Sequence, residues 1–267
     1  MRQMANDEIR KAVRENYGRV AESGGAGCGC SPSCCGTPRA ITAEDLSLAL
    51  GYSSENVSAV PEGANMGLGC GNPQAIASLQ AGETVLDLGS GGGFDCFLAA
   101  QAVGEDGHVI GVDMTPEMVS KARRNAGEAG LGNVEFRLGE IEHQPVADGC
   151  IDVIISNCVI NLSPEKERAF AEAFRVLKPA GRLAISDVVA TAEIPPEVKQ
   201  DLALYSGCVT GASSIHELES MLDRVGFVRV QVKPTDESKA FIREWAPGSN
   251  VEDYVVSAAI EAVKPQA

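Results

Sequence analysis

Residues 84–95 read T-V-L-D-L-G-S-G-G-G-F-D. The first five form a short apolar run of the kind that lies in a sheet covered on both faces, and the glycines after them release the chain from strand to helix. A glycine-rich turn at that place lets backbone N–H groups come close to a ligand at the start of the helix. The spacing narrows the ligand. A dinucleotide fingerprint wants a glycine three positions after its second one, and counting from Gly89 and Gly91 that position holds Phe94. NAD is therefore disfavoured, and the pattern that stands here is an acid followed by alternate glycines: Asp87, Gly89, Gly91 and Gly93.

Outward from this loop, strand and helix patterns alternate. The spacing predicts strands over 84–88, 108–112, 134–138, 151–156 and 182–186, with helices over 94–103, 116–129 and 164–177 between them. A helix over 215–225 and a strand over 227–232 follow. Such alternation predicts an α/β fold, a Rossmann-like, doubly wound and mostly parallel sheet with flanking helices. The second strand ends at Asp113, 24 residues beyond Gly89, near the place from which an acid accepts hydrogen bonds from ribose hydroxyls.

Upstream, Ile9, Val13, Tyr17 and Val20 recur at near-helical spacing and predict a short amphipathic helix whose apolar stripe needs a partner. Residues 23–38, rich in Gly, Ser, Pro and Cys, read as a linker; Thr42 with Asp45 reads as a helix cap and Gly51 as its stop. Residues 63–73 (G-A-N-M-G-L-G-C-G-N-P) read as a loop, and 251–263 as a final helix. The division is then an N-terminal helical, cysteine-bearing arm over 1–60, a cofactor-binding domain over 61–233 and a C-terminal extension over 234–267.

The chain has 267 residues, 44% of them hydrophobic, with 37 acidic and 22 basic side chains for a net charge of −15. No Lys/Arg run offsets that charge locally, so a phosphate backbone is repelled and nucleic acid is excluded as a partner. No apolar run approaches the roughly 20 residues that span a bilayer, and the N-terminus is mixed and charged, unlike a signal peptide. A cytoplasmic protein without a membrane partner is expected, with a monomer as the default.

Nine cysteines are the anomaly, since a reducing compartment keeps them as thiols for packing or chemistry. Cys28, Cys30, Cys34 and Cys35 crowd into G-C-G-C-S-P-S-C-C-G, while Cys70, Cys96, Cys150, Cys158 and Cys208 are dispersed. Cys96 and Cys150 read as packing thiols. His108, His143 and His216 sit at a strand start, in a loop and at a helix start, and none reads as a general base. Instead the fourth strand delivers S-N-C-V-I-N-L (156–162) to the carboxyl edge of the sheet, where ligands lie in open α/β folds, so Cys158 points toward the cofactor region.

The acid-x-G-x-G-x-G loop and R-V-L-K-P-A-G-R-L (175–183), with Ala180 at the usual place of a glycine, resemble S-adenosylmethionine-dependent methyltransferases of the Rossmann-like class. With G-L-G-C-G (67–71), G-V-D-M-T-P-E-M (111–118), S-N-C-V-I-N-L and Y-S-G-C-V-T-G-A (205–212), the resemblance is to the arsenite S-adenosylmethionine methyltransferases. S-N-C-V-I-N-L with Cys70 and Cys208 in their contexts is its specific part. The resemblance implies that Cys158 and Cys208 ligate arsenic(III) throughout, with Cys70 the third ligand during binding and redox steps. Arsenic takes three sulfur ligands in a pyramid and keeps a lone pair, following the softness that sends thiolates to soft metals. That lone pair is the nucleophile, has no proton to lose and makes a general base unnecessary. Fixing its direction is a proximity effect of up to roughly 7–11 kcal/mol.

The resemblance also implies that methyl transfer yields pentavalent arsenic, that enzyme cysteines return it to the trivalent state by forming a disulfide, and that thioredoxin or glutathione reduces that disulfide. A fourth family cysteine falls on Cys34 or Cys35. The substrate would be arsenite or its thiol conjugates, and the cofactor S-adenosylmethionine, with no obligatory metal cofactor. Its contacts would be Asp87, Gly89, Ser90, Gly91, Gly93, the ribose acid Asp113, Met114 on the adenine, Ile141 and Glu142 at the adenine side, and Asn157 by the methionine portion. Leu68 stands where the family often has an aromatic residue. Two rivals remain: a quinone-type carbon or oxygen methyltransferase, which would leave three cysteines idle, and a non-enzymatic thiol protein that binds metalloids on a retained scaffold.

Overall fold

The computed structural model describes residues 2–23, 42–194, 208–245, 248 and 250–266. The expectations for the linker and for Cys28, Cys30, Cys34 and Cys35 lie outside the described residues. Strands β1 (Thr84–Leu88), β2 (His108–Asp113), β3 (Val134–Leu138), β4 (Ile151–Asn157), β5 (Leu177–Ala190), β7 (Val228–Thr235) and β8 (Val255–Val263) form a sheet in the order β3-β2-β1-β4-β5-β8-β7, and β6 (Ser213–Ser214) pairs with β5. β1 to β5 run parallel, and β8 is antiparallel to both its neighbours. The crossovers are α5 (Phe94–Val103), α6 (Pro116–Ala129) and α7 (Lys166–Val176), preceded by α1 (Arg2–Ser23), α2 (Ala43–Ala49), α3 (Ser54–Ser58) and α4 (Pro73–Ala77) and followed by α8 (Ile215–Val225) and α9 (Lys239–Ile242).

The strands alternate between two cores, as a period of two requires. Val85, Val109, Val153, Ile155 and Ala184 pack under α4, α5 and α6. Leu86, Ile110, Ile154, Leu183 and Ile185 pack against α7 and α8 on the other face. Both faces of β1 and β4 are therefore covered, which is why those strands read as continuous apolar runs.

Three boundaries differ from expectation. The final helix read over 251–263 is instead a single 3-10 turn, Val251–Asp253, and the strand β8. Val255, Val256, Ile260 and Val263 are β-branched, and a strand here fills the gap between β5 and β7, with Ile185 opposite Ile260 and Val232 on its other side. Short apolar runs are ambiguous in period, and here the pairing on both edges decides. β5 continues to Ala190 because β8 pairs along it from Arg182 to Ala190. The N-terminal helix is 22 residues long, and its stripe finds its partner: Val13 joins the cluster around Cys70, Cys158 and Cys208, while Val20 packs with Met66 and Met118.

The cap at Thr42 is a reciprocal capping box with Asp45. In the β5 approach, Ala180 takes a left-handed backbone, φ +64°, where a Cβ costs roughly 1–2 kcal/mol and glycine recovers most of that after its own entropic cost. Ala180→Gly is accordingly expected to raise unfolding stability by roughly 0.5–1 kcal/mol, read as a higher urea midpoint with an unchanged slope.

Candidate active site

A cavity of about 890 Å³ opens at the carboxyl ends of β1, β2 and β4, with Val13 and Tyr17 of α1 along one side. At its base the glycine loop folds back on the sheet: Gly89 N donates to Val112 O at 2.7 Å and Ser90 N to the same oxygen at 3.1 Å. Gly89 has φ +74°, and a Cβ there would lie 2.3 Å from Val159 Cγ2, so this position is closed to any side chain. Asp113 pins the loop from β2, its carboxylate accepting from Gly91 N (2.9 Å) and Thr115 N (2.8 Å). Met114, Ile141 and Glu142 also line it, and Met114 packs against the apolar cluster that holds Cys70, Cys158 and Cys208. Glu142 accepts from Ser163 Oγ (2.6 Å) and Arg10 Nη2 (3.3 Å), which ties α1 over the cavity.

Asp87, Asp95 and Asp113 all line the cavity. Burial raises Asp113 above the usual carboxylate range and Asp95 to about 6, against the hydrogen bonds from Tyr52 and Gln74. Asp87 is pushed well up by burial and then by the charge of Asp95, although Cys96 Sγ donates to it at 3.2 Å. Cys96 is thus both a packing thiol, as expected, and a donor to the motif acid. Cys150 is half-buried and donates to Ala147 O at 3.1 Å.

Three thiols, Cys70, Cys158 and Cys208, share one buried apolar cluster. Cys158 follows directly on β4, in a left-handed backbone with φ +60°, and Cys208 has φ +64°. Both line the cavity, and Cys208 Sγ donates to Cys158 O at 2.8 Å. Cys70 lies behind them, 1% exposed, with its thiol, that of Cys158 and a carboxylate oxygen of Asp187 all within 4.8 Å of one another. Burial pushes the Cys70 thiol up to about 11, with the Asp187 charge adding to it and the Cys158 contact opposing it. For Cys158 the hydrogen bond with Cys208 lowers the value, but the Cys70 contact and burial outweigh it and the thiol stands well above its ordinary range. At neutral pH these two groups are thiols, not thiolates.

Asn157, on the cavity wall, links it to the backbone of Cys70. Its Oδ1 accepts from Cys70 N (2.9 Å), and its Nδ2 donates to Gly71 O (2.8 Å) and to the Tyr52 hydroxyl (3.0 Å). Among the described residues, the expected site residues Asp87, Gly89, Ser90, Gly91, Asp113, Met114, Ile141, Glu142, Asn157, Cys158 and Cys208 line this cavity, whereas Cys70 and Gly93 do not; Cys34 and Cys35 lie outside the described residues. Tyr52, Asp95, Asp187 and Arg10 were not expected. Asp95 closes the glycine-loop stretch 84–95, a signal that could have marked it; the other three sit in ordinary local contexts, and only tertiary contact marks them.

With this geometry in hand, a sequence-family model for a methyltransferase domain matches residues 79–226. An arsenite methyltransferase of Halobacterium salinarum is 53% identical over 97% of this chain and 67% of its own length. The chain belongs to the arsenite methyltransferase family. A second arsenite methyltransferase, from Aquipseudomonas alcaligenes, is 46% identical over 60% of this chain, a match spanning 47% of that protein. Among solved structures, an arsenic(III) S-adenosylmethionine methyltransferase from Chlamydomonas reinhardtii is similar at a TM-score of 0.62 and 31% identity, covering 86% of this chain and 75% of that one. The chain thus spans about half to two-thirds of the length of these two sequence relatives. Among the described residues, no helix is long and apolar enough to cross a membrane.

The fold of this arsenite methyltransferase family member implies S-adenosylmethionine, and the residues fit it. Ser90 Oγ is buried in the cavity wall with no partner among the described residues. Gly91 leaves open space where a Cβ would stand. Three buried acids with raised values suit a ligand that carries an ammonium and a sulfonium charge. Such a cation favours ionised Asp95, so its binding releases protons below about pH 6. Affinity for S-adenosylmethionine is therefore expected to weaken as pH falls through about 6, with proton release seen by calorimetry in buffers of different ionisation enthalpy. Asp95→Asn is expected to flatten that dependence.

Proposed function

We propose that this chain methylates trivalent arsenic held by Cys158, Cys208 and Cys70. The observation that carries the reading is the convergence of three thiols, far apart in sequence, in one buried cluster, with Cys158 and Cys208 on the wall of the cavity. S-adenosylmethionine, when bound, supplies an electrophilic methyl group. Asp87, Gly89, Ser90, Gly91, Gly93 and Asp113 would hold it, with Met114, Ile141 and Glu142 at the adenine end and Asn157 at the other.

The thiols do the rest. Arsenous acid is neutral at pH 7, and each protonated cysteine that replaces one of its hydroxyls forms an As–S bond and releases one water, so capture needs no external base. This suits thiols that burial keeps protonated. Cys158 and Cys208, on the cavity wall, present the arsenic lone pair to the open side, and Cys70 closes the site from behind. Fixing that direction is the main contribution open to the protein, since the nucleophile needs no deprotonation. Methyl transfer leaves arsenic pentavalent. Oxidation of two thiols to a disulfide returns two electrons to it, and either one protein dithiol, as in thioredoxin, or two glutathione thiols then reduce that disulfide, becoming a disulfide themselves. With Cys158 and Cys208 kept on arsenic, Cys70 is the thiol that leaves it to oxidise, and Cys34 or Cys35 is its partner in the relay. We place this activity in the cytoplasm, in a monomer whose methyltransferase unit over 61–233 carries all three arsenic ligands.

An organic-substrate methyltransferase of the quinone type has no use for three converging thiols, and a sequestration protein has no use for an intact cofactor loop. Incubation of the reduced protein with S-adenosylmethionine, arsenite and a thiol reductant, followed by chromatographic separation of arsenic species, tests the reading. Methylated arsenic is expected from the parent and a loss of at least about 100-fold from Cys158→Ser and Cys208→Ser, the scale on which misplacing a reacting atom costs rate. Cofactor binding without any methylated arsenic would remove the assignment.

A further inference from the structure

The carboxylate of Asp95, in the cofactor cavity, is linked to the backbone of Cys70 by an unbroken line of hydrogen bonds. The Tyr52 hydroxyl donates to Asp95 at 2.8 Å, Asn157 Nδ2 donates to the Tyr52 hydroxyl at 3.0 Å, and Cys70 N donates to Asn157 Oδ1 at 2.9 Å. The polarity of the line is fixed. A phenol that gives its proton to a carboxylate must accept from the next group, so the amide turns its nitrogen to Tyr52 and its oxygen to Cys70. A charged acceptor at one end strengthens each successive bond in such a chain.

Packing leaves the line little slack. Tyr52 is 4% exposed, and its ring meets Phe94 edge-on at 4.9 Å between centroids. Gly69, φ +127°, lies flat on the Asn157 amide, where a Cβ would come within 2.7 Å of Nδ2. The carbonyl of Cys70 is held separately, accepting from Ser257 Oγ at 2.5 Å. Cys70 therefore moves with the Asn157 amide, and the amide moves with Tyr52.

We infer that Tyr52 is a positioning residue that couples occupancy of the cofactor cavity to the placement of the Cys70 thiol. A ligand group that fixes the Asp95 carboxylate fixes the Tyr52–Asn157–Cys70 line with it and sets the third sulfur where arsenic needs it. The empty cavity leaves that sulfur freer to exchange arsenic or to meet a reductant. The purpose of this coupling rests on the arsenite reading, but the coupling itself is measurable without arsenic.

The test uses the full chain, reduced, with S-adenosylhomocysteine, which carries the same amino group, as the probe. Alkylation of Cys70 by iodoacetamide is followed by peptide mass spectrometry, with the half-buried Cys150, outside the cavity, as internal reference. In the parent, saturating probe is expected to slow Cys70 alkylation by about fivefold or more, the lower end of ordinary coupling, and in Tyr52→Phe by less than about twofold although the probe still binds calorimetrically. Hydrogen exchange at the Cys70 N–H of the parent gives a reading independent of any variant, and its protection is expected to rise with the probe bound. Equal slowing in parent and Tyr52→Phe, or Cys70 exchange indifferent to bound probe, would overturn the inference. Arsenic methylation without the coupling sinks this inference alone; coupling without arsenic methylation sinks the proposed function and leaves Tyr52 in its role.

Discussion

The side-chain amide of Asn157 is the contact on which the rest of the site depends. It stands at the carboxyl end of β4, between the cofactor loop and the thiols, and all its polar atoms are engaged. Because the next residue is Cys158, the end of one strand places that thiol by covalent geometry and, through the amide, holds the backbone of Cys70, 88 residues before Cys158 in the chain. The third arrives from a separate segment, with Cys208 donating to the carbonyl of Cys158. One strand end thus organises all three sulfurs.

Burial shifts the acids and the thiols of the site in the same sense, toward their neutral forms. At the cofactor end, desolvation raises three carboxyls, and a cationic ligand relieves them. Around the thiols it raises Cys70, Cys158 and Asp187, the last to about 6. Left-handed backbone at both Cys158 and Cys208 is a further local cost, typical of residues whose side chains are aimed by their surroundings.

Asp187 illustrates how such a site is supported. Its carboxylate accepts from Asn161 Nδ2 at 2.9 Å and from Val188 N at 2.7 Å, which fastens the turn after Cys158 to β5. The Cys158 N–H reaches the same strand at Ser186 O, 2.8 Å away. β5 is in turn held from its far side by β8 over nine residue pairs, from Arg182–Val263 to Ala190–Val255. The C-terminal strand thereby steadies the thiol end of the cavity, and Ser257 on that strand also holds the carbonyl of Cys70.

The sequence by itself determined the strand, glycine turn and helix over 84–103, the crossover helices and the capping box at Thr42. In each of these the deciding interactions lie within a few residues: hydrogen bonds of a helix, the freedom of a glycine, a side chain capping its own first turn. It also marked Cys70, Cys158 and Cys208 as candidates, through short motifs whose resemblance to a family names the residues without assembling them. Only the tertiary structure decided that 255–263 is a strand, that Cys70 sits behind the cavity wall while Cys158 and Cys208 form part of it, and that Tyr52 and Asp95 belong to the site. Those outcomes depend on partners tens to nearly two hundred residues away, as between Ser257 and Cys70. No local period or spacing encodes such pairings, because their energy exists only once the sheet has brought both partners out of water together.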